Sequence, residues 1–339
     1  INNIENIINK KKTDDLQIPD CLLFIPETLV IYDNQKSILY ITKIINKNIS
    51  NTKNIYQKLI NEVEEITATI KKNNKYEKIN FKKRKKISPK SNILKSKFVK
   101  NINISKKYIK DGDIFQVVPS HRFSANYNST GKKLYQVLRK TNPSPFLYYF
   151  NLPNFNIVGS SPEILVRLRD NVVTIRPIAG TRPRGKNKAQ DISYERELLR
   201  DKKEISEHLM LLDLGRNDTG KVSKINTVKV TESFKIERYS HVMHIVSNVE
   251  GTFNNKYTKF ETLLSGFPAG TVSGAPKIRA MEIIDELETT KRKVYAGGIG
   301  YFSSNGDFDT CIALRTAIAK NKKFYVQAGA GIVADSKPL

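Results

Sequence analysis

Residues 294–319, VYAGGIGYFSSNGDFDTCIALRTAIA, decide the fold class. Both arms are rich in apolar, β-branched and aromatic residues, and Asn305-Gly306 sits between them, a strong hairpin signal. FYVQAGAGIV (324–333) follows as a neighbouring strand. Upstream lie further strand-like runs: IFQVVPSHRFSA (114–125), PFLYYFNL (145–152), FNIVGSSPEILVRL (155–168), VVTIRPIAGT (172–181) and HVMHIVSNVEGTF (241–253). Helical patterns over Val99–Lys110, Leu134–Arg139 and Ala275–Glu288 interrupt them. Adjacent strands broken by a few helices predict α+β, not a doubly wound parallel sheet.

The most informative helical stretch is ERELLRDKKEISEHLMLLDLGRNDTG, residues 195–220. Ile205, Leu209 and Leu212 recur at helical spacing as an apolar stripe. Glu204 and Glu207, three apart, are neighbours on a polar face. Gly-Arg-Asn-Asp-Thr-Gly is expected to stop the helix. The acid pair reads either as two solvated surface carboxylates or as half of a hard-cation site, because Mg²⁺ is held by one or two carboxylates plus substrate oxygens.

Before residue 95 the texture differs. Cys21–Ile45 reads as a hairpin, Asn54–Ile70 as a helix, and the lysine-dominated Lys71–Lys100 as an exposed linker. A boundary near 95 divides 1–94 from 95–339.

The 339 residues carry a formal charge of +25 and two cysteines, Cys21 and Cys311. Two distant cysteines make neither a disulfide framework nor a zinc motif. The lysines are scattered, without aromatic-plus-basic stacking motifs, so the charge does not point to nucleic acid. No run of 18 apolar residues exists, so no membrane span is expected. The first residue is Ile1, which is consistent with a fragment.

Five features look chemical. Ile178–Gly185 (IAGTRPRG) ends a strand with glycines, a hydroxyl and two guanidiniums, which suit carboxylates. Gly266–Lys277 (GFPAGTVSGAPK) leads into a helix whose free N–H groups make an anion site, or simply an N-capped start. Gln327–Gly331 (QAGAG) can form an anion-binding nest. Arg315, inside an apolar strand, needs an anionic partner or must reach the sheet edge. His241 and His244 lie on opposite strand faces, as structural residues or with one in acid–base work. Together these clusters point to a small anionic substrate, with a dicarboxylate as the leading candidate, and a divalent cation.

Nine blocks in order, from IFQVVPSHRFS through RPIAGTRPRG, KKEISEHLMLLDLGRND and FPAGTVSGAPKIRAMEIIDELE to QAGAGIVADS, resemble the chorismate-utilising enzymes, most closely their anthranilate synthase large-subunit branch. The resemblance covers residue 95 to the C-terminus. It implies an antiparallel β-sandwich flanked by helices. It also implies the reaction: chorismate loses its ring hydroxyl, takes ammonia at the neighbouring position and eliminates pyruvate to leave anthranilate. Carried over by matching position, Glu207 and Glu204 would hold Mg²⁺. Gly180, Thr181, Tyr295, Arg315, Gly329, Ala330 and Gly331 would bind chorismate, and His244 and Thr271 would serve catalysis. Pro145, Phe146 and Leu147 match half of a tryptophan inhibitor site. A glutamine amidotransferase subunit would supply ammonia in a hetero-oligomer, in the cytoplasm or a plastid stroma.

Two positions discriminate within the family. Ala179 stands where aminodeoxychorismate synthases carry a nucleophilic lysine, and Gln116 where water-using members carry a lysine base. Both favour ammonia as the nucleophile. Two departures matter as well. The family continues past Leu339 with a Glu-x-x-Glu pair that completes the metal site, and a Leu-Leu-Glu-Ser motif of the inhibitor site is expected before Ile1. On this reading the chain is an internal fragment that lacks activity by itself. Another chorismate enzyme, or a basic polyanion-binding protein, are the alternatives.

Overall fold

The computed structural model describes residues 12–45, 52–72, 87–127 and 129–338. They fall into two units, one of residues 19–84 and one of residues 1–18 with 85–339. The smaller unit holds the antiparallel hairpin Thr28–Asp33/Ile38–Lys43 and the helix Thr52–Lys71, close to the spans expected. Residues 73–86 of the lysine-rich linker lie outside the described residues. Its C-terminal end is not linker, because a helix begins at Lys95 and runs to Lys110.

The larger unit is α+β. Among the described residues one sheet has the order Ile178–Pro183, Val242–Thr252, Val172–Ile175, Ile164–Arg169, Phe308–Ile312, Gly298–Phe302, with Lys229–Arg238 also pairing Val242–Thr252. A second has the order Lys90–Ser91, Ser120–Asn126, Lys323–Gly329, Thr316–Lys320, Phe155–Ser161, Phe146–Leu152. Every pairing in both is antiparallel.

The hairpin at Asn305-Gly306 forms, but its second arm does not run through as one strand. It leaves the first sheet at Ile312 and enters the second at Thr316, with Arg315 at φ +49° between them. Arg315 is therefore not inside an apolar strand. It sits at a crossing, in a left-handed conformation that costs a non-glycine residue about 1–3 kcal/mol. The chain crosses once more between the same sheets, from Phe155–Ser161 to Ile164–Arg169, and Glu163 stands at that crossing.

The 195–220 stretch divides into two helices, Lys188–Arg200 and Lys202–Gly220. Asp201 ends the first and caps the second, its Oδ1 accepting from the N–H groups of Lys203 and Glu204. Two expectations fail here. Leu209 is 55% exposed, because the buried stripe is His208, Leu211, Leu212, Gly215 and Thr219. His208 takes the inward place by pairing its Nε2 with Ser247 Oγ at 2.7 Å. The Gly-Arg-Asn-Asp-Thr-Gly run does not stop the helix, which continues to Gly220. Asp218, in its last turn, accepts from the buried Lys277 ammonium at 2.6 Å. Asp218→Asn would leave that ammonium without its countercharge, so a loss of about 3–5 kcal/mol in unfolding free energy is expected by denaturant titration.

Leu165, Leu168, Val173, Phe253, Phe308 and Ile312 pack into one core cluster on the first sheet. A second cluster packs the helix Lys277–Leu287 against Val117 and Ile102.

Candidate active site

Gly180 makes the first part of the site. Its φ of +75° places a bulge in the Ile178–Pro183 strand, between Ala179 and Thr181. A side chain there would meet Ile245, at 3.0 Å from an added Cβ, so glycine suits both the backbone and the space. The bulge sets Thr181 opposite His244, with Thr181 Oγ1 3.0 Å and Gly180 O 3.2 Å from His244 Nδ1. A carbonyl only accepts, so in that contact Nδ1 carries the hydrogen and Nε2 keeps its lone pair. Burial lowers the His244 pKa, which favours the neutral ring.

The two crossings bring the second part together. Glu163 is 6% exposed. Burial pushes its carboxyl up to about 8, and Thr271, the Ile178 backbone and the Arg315 guanidinium pull it back only in part. Glu163 is thus protonated near neutral pH. Arg315, by contrast, is exposed and makes no ion pair among the described residues. Its charge reaches both Glu163 and His244. An acid, an imidazole, a hydroxyl and an unpaired guanidinium thus share one neighbourhood.

Tyr295 and the 329–331 turn form a third part. A Cβ added to Gly329 would lie 2.5 Å from the Tyr295 hydroxyl, and one added to Gly331 would lie 2.9 Å from Gln116 Nε2. The expected nest is smaller than the sequence implies, since the Ala330 N–H is already donated to Pro119 O at 3.1 Å. Gln116 is buried with its Oε1 unpaired.

Glu204 and Glu207 share a helix face, each about four-fifths buried by side chain. Arg182, next to Thr181, reaches Glu204 at 3.5 Å, and Lys203 reaches Glu207 at 3.7 Å. Burial raises the Glu207 pKa; Lys203 counters that shift and the Glu204 charge adds to it. No group of three or more metal-ligating side chains converges among the described residues. A pair of hard, partly buried oxygens fits Mg²⁺, which keeps waters and substrate oxygens in its shell, and does not fit a closed zinc site.

Pro145, Phe146 and Leu147 lie one strand over from the crossings, for Leu147 is paired with Ser160, whose N–H donates to Arg315 O at 3.3 Å. Phe146 and Leu147 open the edge strand Phe146–Leu152, paired with Ser161 and Ser160, and Pro145 is exposed just before it. His241 lies outside the strand and pairs with Ser240 Oγ. Cys311 is a buried thiol.

Glu163 was not among the residues singled out from the sequence. The signal was there: a carboxylate in the apolar run GSSPEILV must be paired or protonated once buried.

A family model described as chorismate binding enzyme matches residues 2–339. The chain belongs to the chorismate binding enzyme family. It is 48% identical to anthranilate synthase component 1 of Acetivibrio thermocellus, covering 100% of this chain and 69% of that protein. It is 59% identical to the Cereibacter sphaeroides component 1 over 73% of this chain and 50% of that protein. Among solved structures, anthranilate synthase component I from Streptococcus pneumoniae TIGR4 superposes with a TM-score of 0.86 at 40% identity, over 97% of this chain and 73% of that one. This family member thus spans between 50% and 69% of the length of these two curated relatives. No helix among its described residues is long and apolar enough to cross a membrane.

Proposed function

We propose that this chain carries the chorismate-converting site of an anthranilate synthase component 1, which turns chorismate and ammonia into anthranilate, pyruvate and water. The observation that carries the reading is the buried Glu163 and the exposed Arg315 brought to one neighbourhood by the two crossings between sheets. Arg315 holds a chorismate carboxylate. Thr181, Gly329 and Gly331 accommodate the rest of the substrate, with Tyr295 against its ring. Ammonia attacks the ring carbon that becomes the amine-bearing position. The ring hydroxyl leaves as its C–O bond breaks, taking a proton from Glu163 to depart as water. The ammonium formed in the attack returns a proton to Glu163; His244 Nε2 then removes a ring proton as the enolpyruvyl C–O bond breaks, leaving an aromatic ring, and the released enolate takes that proton at its methylene carbon to become pyruvate. Thr271 is near enough to the acid to lower its pKa. Glu207 and Glu204 would hold Mg²⁺, whose positive charge would neutralise the ring carboxylate when bound.

The nucleophile follows from what two positions lack. Ala179 carries no amine, and Gln116 offers an amide that cannot deprotonate water. Ammonia must therefore be supplied. The relatives' name, component 1, supports a partner component, and we infer a glutamine amidotransferase subunit that delivers ammonia within a hetero-oligomer. Pro145, Phe146 and Leu147 would contribute to a tryptophan feedback site.

Product analysis tests the reaction. The full-length protein, given chorismate, Mg²⁺ and ammonium at alkaline pH, is expected to release anthranilate and pyruvate in equal amounts. Isochorismate, salicylate or aminodeoxychorismate as the main product would overturn the reading.

A further inference from the structure

Arg292 lies behind the proposed substrate site, and most of its guanidinium is taken up by protein groups. One terminal nitrogen donates to Val272 O at 2.7 Å. The other donates to Val118 O at 2.7 Å and to Glu288 Oε1 at 2.6 Å. Nε donates to Glu288 Oε2 at 2.9 Å. Four of the five N–H groups of the fork are therefore spent, on three different chain segments. The pair is well buried, with side-chain exposures of 17% for Arg292 and 6% for Glu288.

Each segment it grips carries a residue of the site. Val272 follows Thr271, Val118 lies two residues past Gln116, and the turn after Glu288 leads to Tyr295, whose ring centroid is 5.5 Å from the guanidinium. Glu288 is itself fixed from the far side, accepting from Ser120 N and Ser120 Oγ at 2.8 Å each. Gln327 extends the chain of bonds, donating to Ser120 Oγ at 2.8 Å.

We propose that Arg292 is a positioning residue: its fork sets the spacing of the Gln116, Thr271 and Tyr295 segments, and it contributes to turnover without touching substrate. The proposal rests on the functional reading above. Geometry makes arginine specific. A lysine keeps the charge and the ion pair with Glu288 but presents its donors at one point, so it cannot reach both carbonyls and both carboxylate oxygens. The unpaired carbonyl then pulls its segment out of place, and a shift of 1 Å at a reacting group can cost about 100-fold in rate.

The test is Arg292→Lys in the full-length protein, measured by thermal melting, steady-state kinetics with chorismate, ammonium and Mg²⁺, and calorimetric chorismate binding. The expected result is a melting temperature within a few degrees of wild type, a kcat lower by about 100-fold, and a chorismate affinity weakened severalfold as Tyr295 shifts. A folded variant with wild-type kcat and affinity would overturn the proposal, as would a lowered melting temperature with both unchanged, which marks a purely structural role. Should Arg292→Lys fail to fold, Glu288→Gln takes its place. It preserves shape and the two carbonyl bonds but turns an amide NH₂ toward the fork, and an intermediate loss of kcat is expected; wild-type turnover would again overturn the proposal. A wild-type protein that binds chorismate and makes no anthranilate sinks the functional reading instead, and the affinity change still decides the role of Arg292.

Discussion

Glu163→Gln is expected to lower kcat by about 10²–10⁴-fold, the usual worth of a general acid, with little change in KM. The amide keeps the side chain's shape and loses only the transferable proton. The wild-type pH profile should carry the same signature. Glu163 works in its protonated form, with its carboxyl pushed up to about 8 by burial. Its contribution is therefore complete below that value and falls away as pH rises through it. Stability should move the other way on substitution. The folded pKa lies above the unfolded value, so between the two the native state holds a proton that the unfolded chain releases, and folding weakens as pH rises across that window. Glutamine removes this penalty, and the variant should melt higher than wild type at pH 7.5 while losing activity. Full turnover in Glu163→Gln, or a flat profile through pH 8, would assign the proton to another donor.

The second large effect belongs to Glu207. Glu207→Gln in the full-length protein should abolish the calorimetric signal of Mg²⁺ binding and cost on the order of 100-fold or more in kcat, since a bound cation contributes several kcal/mol to a developing charge. Glu204→Gln should cost less, because Arg182 already holds Glu204 at 3.5 Å. Mg²⁺ binds the ionised carboxylate, and burial raises the Glu207 pKa. Affinity should therefore weaken as pH falls through that raised value, earlier than for an exposed glutamate. Equal Mg²⁺ affinity and turnover with glutamine at 207 would return the helix to a solvated surface element.

Much of this was legible in the sequence because it rests on local chemistry. Asn305-Gly306 between apolar arms can only turn, whereas the run 172–181 divides into Val172–Ile175 and Ile178–Pro183, and the bulge at Gly180 shows only in the pairing with Val242–Thr252. What was not legible depended on long-range pairing. The break at Arg315 is invisible in CIALRTAIA, whose apolar run is continuous, because it arises from two sheets competing for one chain. The same holds for the Lys202–Gly220 stripe: hydropathy favours Leu209 inward, but the partner for His208 lies 39 residues away at Ser247. Glu163 was hidden for a related reason. A carboxylate reads as polar surface until the burial that changes its protonation is known. The assignment of Pro145, Phe146 and Leu147 to an inhibitor site rests on resemblance alone; the edge strand they open pairs with the strand that leads to Glu163.

The two crossings between sheets have a consequence for how this scaffold can be divided or transplanted. Glu163 rides one crossing and Arg315 the other, so neither sheet owns the acid or the cation. Grafting either sheet onto a foreign domain would carry away strands without their chemistry. A circular permutant or split protein opened at 162–163 or 313–315 would cut the peptide that holds a group of the proposed site. Openings at the Asn305-Gly306 tip would leave both intact. The architecture behaves as one indivisible module whose seam is also its workplace.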